Sequence, residues 1–310
     1  MPTKSHLTSV LLALLVTFLW STSWVLIKIG LREIPAITFA GIRYFLAFLL
    51  LLLFLGVRGQ LKTLLQIDRR ELGWLLLLGI FLYAITQGAQ FLGLFYLPTV
   101  YVSLFLNLTP LLVLILGATF LKERPGRMQL LGVLVFLAGI ILYFFPLEKE
   151  KIQLLGILIM ALGVSANAIA AILGRLINRE KAIAPVVVTT ISMGIGSSLL
   201  LFSGLVFQGL PPLSLTNWAI IFWLALVNTA FAFTLWNKTL QHLQAAESSI
   251  INGTMLIQIA LLAWVFLGEA LSWKQITAIL IVSIGTTLVQ LKPGRRGMRK
   301  VRKEKALPPA

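Results

Sequence analysis

The side chains of this chain that could recognise a small molecule lie inside long apolar stretches. Tyr83, Gln87 and Gln90 recur at i, i+4 and i+7, the spacing that places side chains on one face of a helix. An amide turned toward hydrocarbon loses its hydrogen bonds at a cost of several kcal/mol. These groups therefore either bond a neighbouring helix or line a water-filled cavity, and we predict the cavity.

A cation also lies within the apolar sequence. Arg43 stands about two turns inside the stretch that begins after Pro35. An arginine inside a membrane usually faces the bundle interior or a cavity, and its planar fork of donors suits a carboxylate. A structural ion pair or a cap on backbone carbonyls would explain the residue as well. We predict that Arg43 contacts a substrate, with both structural alternatives open.

An aromatic and cationic stripe comes first in the chain. Trp20, Trp24 and Lys28 recur at i, i+4 and i+8, so they share a helix face. The stripe either faces a cavity or anchors the helix at the membrane surface, where Trp is enriched and Lys can reach water. Together with polar residues of later segments, the predicted substrate-binding residues are Trp20, Ser23, Trp24, Arg43, Tyr83, Gln87, Gln90, Asn107, Asn228, Trp236 and Asn252.

The elements that position these side chains must be membrane helices. Hydrophobic residues make up 59% of the 310 residues and charged residues only 12%, whereas a soluble domain has about half and about a quarter. Stretches of about 20 apolar residues span a bilayer as helices. The sequence predicts an all-α membrane protein with ten transmembrane helices, at 7–27, 36–55, 73–95, 99–120, 128–145, 153–173, 185–206, 218–236, 246–267 and 273–291.

The ten spans divide into two repeats. The stretch FLKERPGRMQ from Phe120 matches FLGEALSWKQ from Phe266 at a constant separation of 146 positions, which also relates Gly139 to Gly285. With five spans per repeat, the second repeat enters the membrane from the opposite face, as in many transporters. We therefore predict two inverted five-helix repeats, 1–146 and 147–291, followed by a basic cytoplasmic tail, 292–310.

The distribution of charge predicts the orientation. With the N-terminus inside, Lys and Arg collect in the inner loops and the tail, whereas the outer side holds Lys28, Arg32, Lys149, Lys151 and Lys274. This bias agrees with the positive-inside rule and places both termini in the cytoplasm. The net charge of +16 is concentrated in the tail, for which anionic lipid is the nearest partner. We do not expect nucleic-acid binding.

Several functions are excluded or disfavoured by what the sequence lacks. There is no cysteine, and the two histidines, His6 and His242, are far apart, so we predict neither an enzyme nor a cofactor or metal site. The ten acidic residues fall in loops, the tail or the ends of spans, whereas proton-driven carriers generally hold an ionisable group within the membrane. Facilitated transport is therefore expected, with antiport through Glu123, Glu247 or Glu269 as the alternative.

The duplication and its motifs resemble the EamA family of the drug/metabolite transporter superfamily. The resemblance rests on WSTSW with Lys28, on the Arg43 helix, on LTPLLVLILGATFLKER from Leu108 and on its partner TMLIQIALLAWVFLGEA. It implies an inner-membrane carrier that exports amino acids or similar small metabolites by alternating access through a central cavity. A polar-solute channel is a further alternative, although no ring of charge or carbonyl filter is evident. The oligomeric state is open, a homodimer included.

Overall fold

The computed structural model describes residues 4–120, 126–145, 153–179, 183–240 and 251–290, and within these ranges the chain is helical without strands. The all-α class is confirmed. The helices of the first half are α1 (Lys4–Gly30), α2 (Ala36–Val57), α3 (Lys62–Leu65), α4 (Arg69–Leu78), a π-helix (Gly79–Gln87), α5 (Gly88–Tyr96), α6 (Thr99–Leu106), α7 (Thr109–Phe120) and α8 (Arg127–Phe144).

The second half begins with two long helices of similar length to α1 and α2. It contains α9 (Leu154–Arg179), α10 (Pro185–Phe207), α11 (Leu215–Ala225), a second π-helix (Leu226–Phe231), α12 (Ala232–Leu240), α13 (Met255–Leu267) and α14 (Trp273–Gln290). The predicted residues Glu123 and Glu247, His242 and the basic tail lie outside the described residues.

The long apolar helices make this a multi-pass membrane protein. Six helical stretches are long and apolar enough to cross a bilayer: Leu7–Gly30, Ala36–Val57, Arg69–Tyr96, Thr99–Leu116, Leu154–Gly174 and Pro185–Phe207. Four shorter apolar helices follow the same pattern: Arg127–Tyr143, Leu215–Phe231, Ile251–Leu267 and Trp273–Leu288. Each coincides with one of the predicted spans. The inverted relation of the two halves remains a prediction.

Small residues allow the helices to approach closely. A Cβ atom added to Gly139 of α8 would lie 2.8 Å from the Val282 backbone nitrogen, and one added to Gly285 of α14 would lie 2.4 Å from the Phe136 nitrogen. Helix association within a membrane depends on such close packing, because lipid tails are as apolar as the side chains they replace. The two repeat-related glycines thus join α8 and α14 across the halves.

The helix of the fourth predicted span is interrupted in the middle. α6 ends at Leu106 and α7 begins at Thr109, with a turn at Asn107 and Leu108. Pro110, the second residue of α7, has no backbone hydrogen to donate, so it is tolerated in the first turn of a helix but breaks a helix interior. A proline disturbs the helix on its N-terminal side, and the break at Asn107 and Leu108 lies there, two residues before Pro110.

Candidate functional site

Two π-helices lie at equivalent places in the two halves. The first, Gly79–Gln87, carries Tyr83 and Gln87. A shift of 146 positions maps it onto 225–233, which contains the second π-helix, Leu226–Phe231, with Asn228 and Thr229. Single π-helical turns occur frequently at functional sites. Of the predicted site residues, Tyr83, Gln87 and Asn228 therefore lie where the backbone departs from regular α-helix.

Threonine hydroxyls add hydrogen bonds to backbone carbonyls at the widened turns. The Thr86 hydroxyl donates to the Phe81 carbonyl oxygen at 2.7 Å, and the Thr229 hydroxyl donates to the Leu224 carbonyl oxygen at 2.9 Å. Both bonds reach five residues back, the spacing of a π-helix. In hydrocarbon such bonds matter, because each unsatisfied backbone group costs several kcal/mol.

Arg43 is buried and is anchored on the second π-helix. Its side chain is 3% exposed, and its Nε donates to the Thr229 hydroxyl at 3.1 Å. The guanidinium carbon lies 5.1 Å from the centre of the Tyr44 ring and 5.9 Å from that of Phe91, distances at which a cation is attracted to the ring face. Among the described residues no acidic side chain contacts Arg43, and its terminal nitrogens donate no hydrogen bond. The alternative of an ion pair therefore finds no support there.

Asn228 joins the second π-helix to α1. Its amide nitrogen donates to the Leu19 carbonyl oxygen and, at 3.2 Å, to the Thr22 hydroxyl. The side chain is fully buried, yet its Oδ1 has no hydrogen-bond partner in the described part of the chain. Asn228 precedes Thr229, the residue that anchors Arg43, so a free acceptor and a free set of donors originate from adjacent positions.

An aromatic layer connects α1, α12 and the first π-helix. The Trp20 ring lies 5.1 Å from Phe233 and 5.2 Å from Trp236, and Phe233 lies 6.4 Å from Tyr83. Tyr83 in turn lies 5.9 Å from Tyr44, whose hydroxyl donates to Gln87 Oε1 at 2.6 Å. The buried Trp20 Nε1 has no acceptor among the described residues. These rings form a largely apolar surface with unpaired polar atoms at its edge.

The remaining predicted site residues are distributed differently. Trp24 packs in the core, Ser23 donates to the Trp20 carbonyl oxygen of its own helix, and Gln90 is buried. Asn107 donates to the Ser103 carbonyl oxygen one turn earlier, at the break between α6 and α7. Asn252 is exposed. The structure thus brings together Trp20, Arg43, Tyr83, Gln87, Asn228 and Trp236, and it leaves the other five predicted residues outside this group.

Three members of the group were not among the predicted site residues. Tyr44 follows Arg43 directly and therefore lies on another face of α2. A search for residues on the same helix face as Arg43 does not find it. Thr229 and Phe233 are one turn apart, and only the contacts with Arg43 and Trp20 distinguish them from ordinary packing residues. A useful signal would have been the match of Tyr83 with Thr229 at the repeat separation of 146.

A second set of polar contacts closes one end of the bundle, which we call the Lys28 end and define by residues 28–38, 94–100, 208–217 and 268–274. The Lys28 ammonium donates to the Leu94 carbonyl oxygen and, at 2.8 Å, to that of Leu97. The Glu269 carboxylate accepts from the backbone nitrogens of Thr99 at 2.9 Å and Val100 at 3.4 Å. A cation thus binds the end of α5 and an anion the start of α6, as the helix dipoles favour.

Further contacts at the Lys28 end also join the two halves. The Asn217 amide donates to the Glu33 carboxylate at 2.6 Å. The Gln208 Oε1 accepts from the backbone nitrogens of Ile37 at 2.8 Å and Thr38 at 3.2 Å, which caps the start of α2. Lys274 donates to the Phe145 carbonyl oxygen. These side chains supply partners for helix ends that would otherwise be unsatisfied.

The side chains of this arrangement are of types that can bind a small molecule. Among the described residues no group of His, Cys, Asp and Glu could hold a metal ion, and the central layer contains a cation, amides and rings. Such groups recognise charged and apolar parts of a ligand.

Comparisons with known proteins agree with this architecture. The family model for the EamA-like transporter family matches residues 7–145 and again 154–291. A similar protein, "Uncharacterized transporter YoaV" of Bacillus subtilis (strain 168), is 22% identical over 275 residues, which cover 87% of this chain and 92% of that protein. The "Probable amino-acid metabolite efflux pump" of Salmonella typhimurium is 25% identical over 283 residues, covering 88% and 92%.

A solved crystal structure shares the fold. It covers 92% of this chain and 97% of its own, with a TM-score of 0.63 and 18% sequence identity. The fold defines a helical, multi-pass membrane protein with a buried polar layer. The chain belongs to the EamA-like transporter family, whose model matches both halves. It is therefore a transporter and not an enzyme, as the sequence predicted.

Proposed function

We propose that this protein exports amino acids or similar small metabolites across the inner membrane, by alternating access through the layer that contains Arg43 and Asn228. The observation that carries the proposal is that Arg43 of α2 hydrogen-bonds to Thr229, the neighbour of Asn228 on the second π-helix. The unpaired donors of Arg43 suit a carboxylate, and the free Asn228 Oδ1 suits an ammonium group. A zwitterion would satisfy both.

The aromatic rings complete this substrate site. Trp20, Phe233 and Tyr83 offer an apolar surface beside the polar atoms, as ligand pockets commonly do. The two similar proteins named as amino-acid metabolite efflux pumps support the substrate class. In this proposal the ten spans form two inverted five-helix repeats with both termini in the cytoplasm, and the basic tail contacts anionic lipid. A homodimer is compatible with it.

Counterflow into liposomes tests the proposal. Purified protein is reconstituted into vesicles preloaded with one unlabelled amino acid, and uptake of the same labelled amino acid is measured for each of the twenty. A carrier gives transient accumulation above the protein-free control for at least one of them. A channel gives none, because a channel does not exchange one molecule for another. Absence of counterflow with all twenty amino acids would contradict the amino-acid assignment.

We further propose that transport is driven by the substrate's own gradient. The acidic residues of the described ranges, Glu33, Asp68, Glu71 and Glu269, all lie at helix ends or in loops. The Glu269 carboxylate accepts a hydrogen bond from the start of α6. Antiport through this carboxylate is the specific alternative to transport driven by the substrate gradient. For an electroneutral substrate, accumulation that requires an imposed pH gradient and collapses with a protonophore would decide for antiport.

A further inference from the structure

A groove on the membrane-facing surface lies apart from the central layer. It has a volume of about 760 Å³ and is bounded by α2, α3, α4, the first π-helix and α10. Leu52, Leu64, Leu76, Ile195 and Phe202 are among its lining residues. Phe202 is 68% exposed and Leu199 is 45% exposed, so the groove opens sideways, toward the hydrocarbon of a bilayer.

The polar atoms of the groove are occupied within their own helix. The Thr190 hydroxyl donates to the Val186 carbonyl oxygen at 2.7 Å, and the Ser198 hydroxyl donates to that of Gly194 at 2.7 Å. The groove therefore offers little to a polar solute. A flexible hydrocarbon chain fits such a surface, because it needs no hydrogen bond.

The length of the groove fits one leaflet. Thr190 and Phe202 both line it, and the twelve intervening steps of α10 rise about 18 Å at about 1.5 Å per residue. Half of a hydrocarbon core of about 30 Å is about 15 Å. The groove is therefore long enough for most of one acyl chain.

The mouth of the groove is positively charged. Leu64 belongs to the short helix α3, which begins at Lys62, and Leu76 lies two helical turns, about 10 Å, from Arg69 on the same face of α4. The segment 58–71 carries four cations, Arg58, Lys62, Arg69 and Arg70, against two acids. Those acids, Asp68 and Glu71, form the cap of α4, so the cations face the headgroup region with excess charge.

We propose that this groove binds an anionic diacyl phospholipid, with one acyl chain between α2, α4 and α10 and the headgroup phosphate at Lys62 and Arg69. Basic residues at the membrane surface attract the phosphate of an anionic lipid. This site is separate from the substrate site and from the basic tail. It makes the loop between α2 and α4 a lipid-binding element of the carrier.

Photocrosslinking in nanodiscs tests the site. The full chain is reconstituted with a trace of phosphatidylglycerol or phosphatidylcholine that carries a diazirine on one acyl chain, and labelled peptides are mapped by mass spectrometry. We expect labelling concentrated on α2, α4 and α10, and several-fold stronger for phosphatidylglycerol. Even labelling of all membrane-facing helices, or equal labelling by the two lipids, would overturn the proposal.

Matched variants separate the groove from general surface effects. Leu199→Trp fills the groove and should reduce labelling several-fold, whereas Leu205→Trp, on the same helix and equally exposed at 44%, should not. The double variant K62Q/R69Q should abolish the preference for phosphatidylglycerol. Arg127→Gln removes an exposed cation at the start of α8 and should preserve it. Equal effects of the two tryptophan variants, or loss of the preference in Arg127→Gln, would point to unspecific lipid contact.

Discussion

The Lys28 end and the central layer differ in how many of their buried polar side chains find a hydrogen-bond partner within the protein. At the Lys28 end, Glu269, Gln208 and Lys28 each bind backbone groups at helix termini. In the central layer, by contrast, Trp20 Nε1 and Asn228 Oδ1 have no partner among the described residues. Apart from the Thr99 hydroxyl, which has no partner among the described residues, the polar side chains named at the Lys28 end are satisfied by the protein, while those of the central layer retain unused capacity.

We propose that this difference separates groups that hold the structure from groups that bind the substrate. A buried polar atom without a partner costs about 1–3 kcal/mol, so a purely structural layer would be expected to pair its atoms or replace them by apolar ones. The contacts of Glu269, Gln208 and Asn217 at the Lys28 end cross between the halves, so they must be broken if that end opens. The comparison predicts losses of substrate recognition for central variants and shifts in opening for variants at the Lys28 end.

The largest effect is expected from Arg43. In Arg43→Lys the ammonium loses the planar fork that binds a carboxylate at two points. Hydrogen bonds to charged groups contribute about 1.5–3 kcal/mol, so zwitterionic and anionic substrates should bind about tenfold to about a hundredfold more weakly. Competition in the counterflow assay measures this loss. Neutral competitors serve as the control, and an equal loss for them would indicate a structural role for Arg43.

A smaller effect is expected from Asn228→Ala, which removes the free acceptor. L-Phenylalanine and 3-phenylpropionate share a ring and a carboxylate, but only the first has an ammonium group. The variant should weaken competition by L-phenylalanine about tenfold, because a hydrogen bond to a charged group is lost, and should change 3-phenylpropionate much less. Parallel loss of both competitors would contradict recognition of the ammonium group by Asn228.

Glu269→Ala should instead open the Lys28 end. Loss of a helix N-cap costs about 1 kcal/mol, which corresponds to about a fivefold shift in a conformational equilibrium. Because the chain has no cysteine, Val100→Cys, at a position 1% exposed, provides a clean reporter for a water-soluble maleimide. Its labelling rate should rise about fivefold. Glu71→Ala, which removes a capping residue of α4 away from the Lys28 end, should leave the rate unchanged, and an equal rise there would contradict a local effect.

The smallest effect is expected at Gln208, where two substitutions should change the midpoint of thermal unfolding in opposite directions. Gln208→Ala removes two hydrogen bonds from the start of α2, whereas Gln208→Glu places a negative charge beside the positive end of the helix dipole. The midpoint of thermal unfolding should fall by a few degrees in the first and rise slightly in the second. A fall of equal size in both variants would show that packing, rather than capping, is what Gln208 supplies.

The fold class could be predicted from the sequence because long apolar segments indicate membrane-spanning helices. Each apolar helix of the structure coincides with a predicted span, and Arg43, Tyr83, Gln87 and Asn228 could be singled out as polar groups in an apolar context. These inferences require only the cost of an unpaired polar group in hydrocarbon.

What the sequence could not predict depends on the backbone and on pairing between distant residues. Helical spacing placed Tyr83, Gln87 and Gln90 on one stripe, but the π-helix changes that periodicity within the same segment. Asn107 was expected to face the cavity, and its side chain instead donates to the Ser103 carbonyl oxygen, which also accepts from the Asn107 backbone nitrogen. Glu269 could be placed at the end of a span and named as a candidate for antiport, but its role as a cap depends on Thr99, 170 positions earlier.

The two π-helices allow the third and eighth spans to rotate internally without losing their backbone hydrogen bonds. A widened turn contains a hydrogen bond from residue i to residue i+5, and it can move along a helix when neighbouring bonds exchange partners one at a time. The parts of the helix on either side then rotate relative to each other while nearly every backbone group keeps a partner. Movement of this kind avoids the cost of exposing peptide groups to hydrocarbon. Gly79–Gln87 and Leu226–Phe231 thus permit a rotation within the helix that a regular α-helix does not permit.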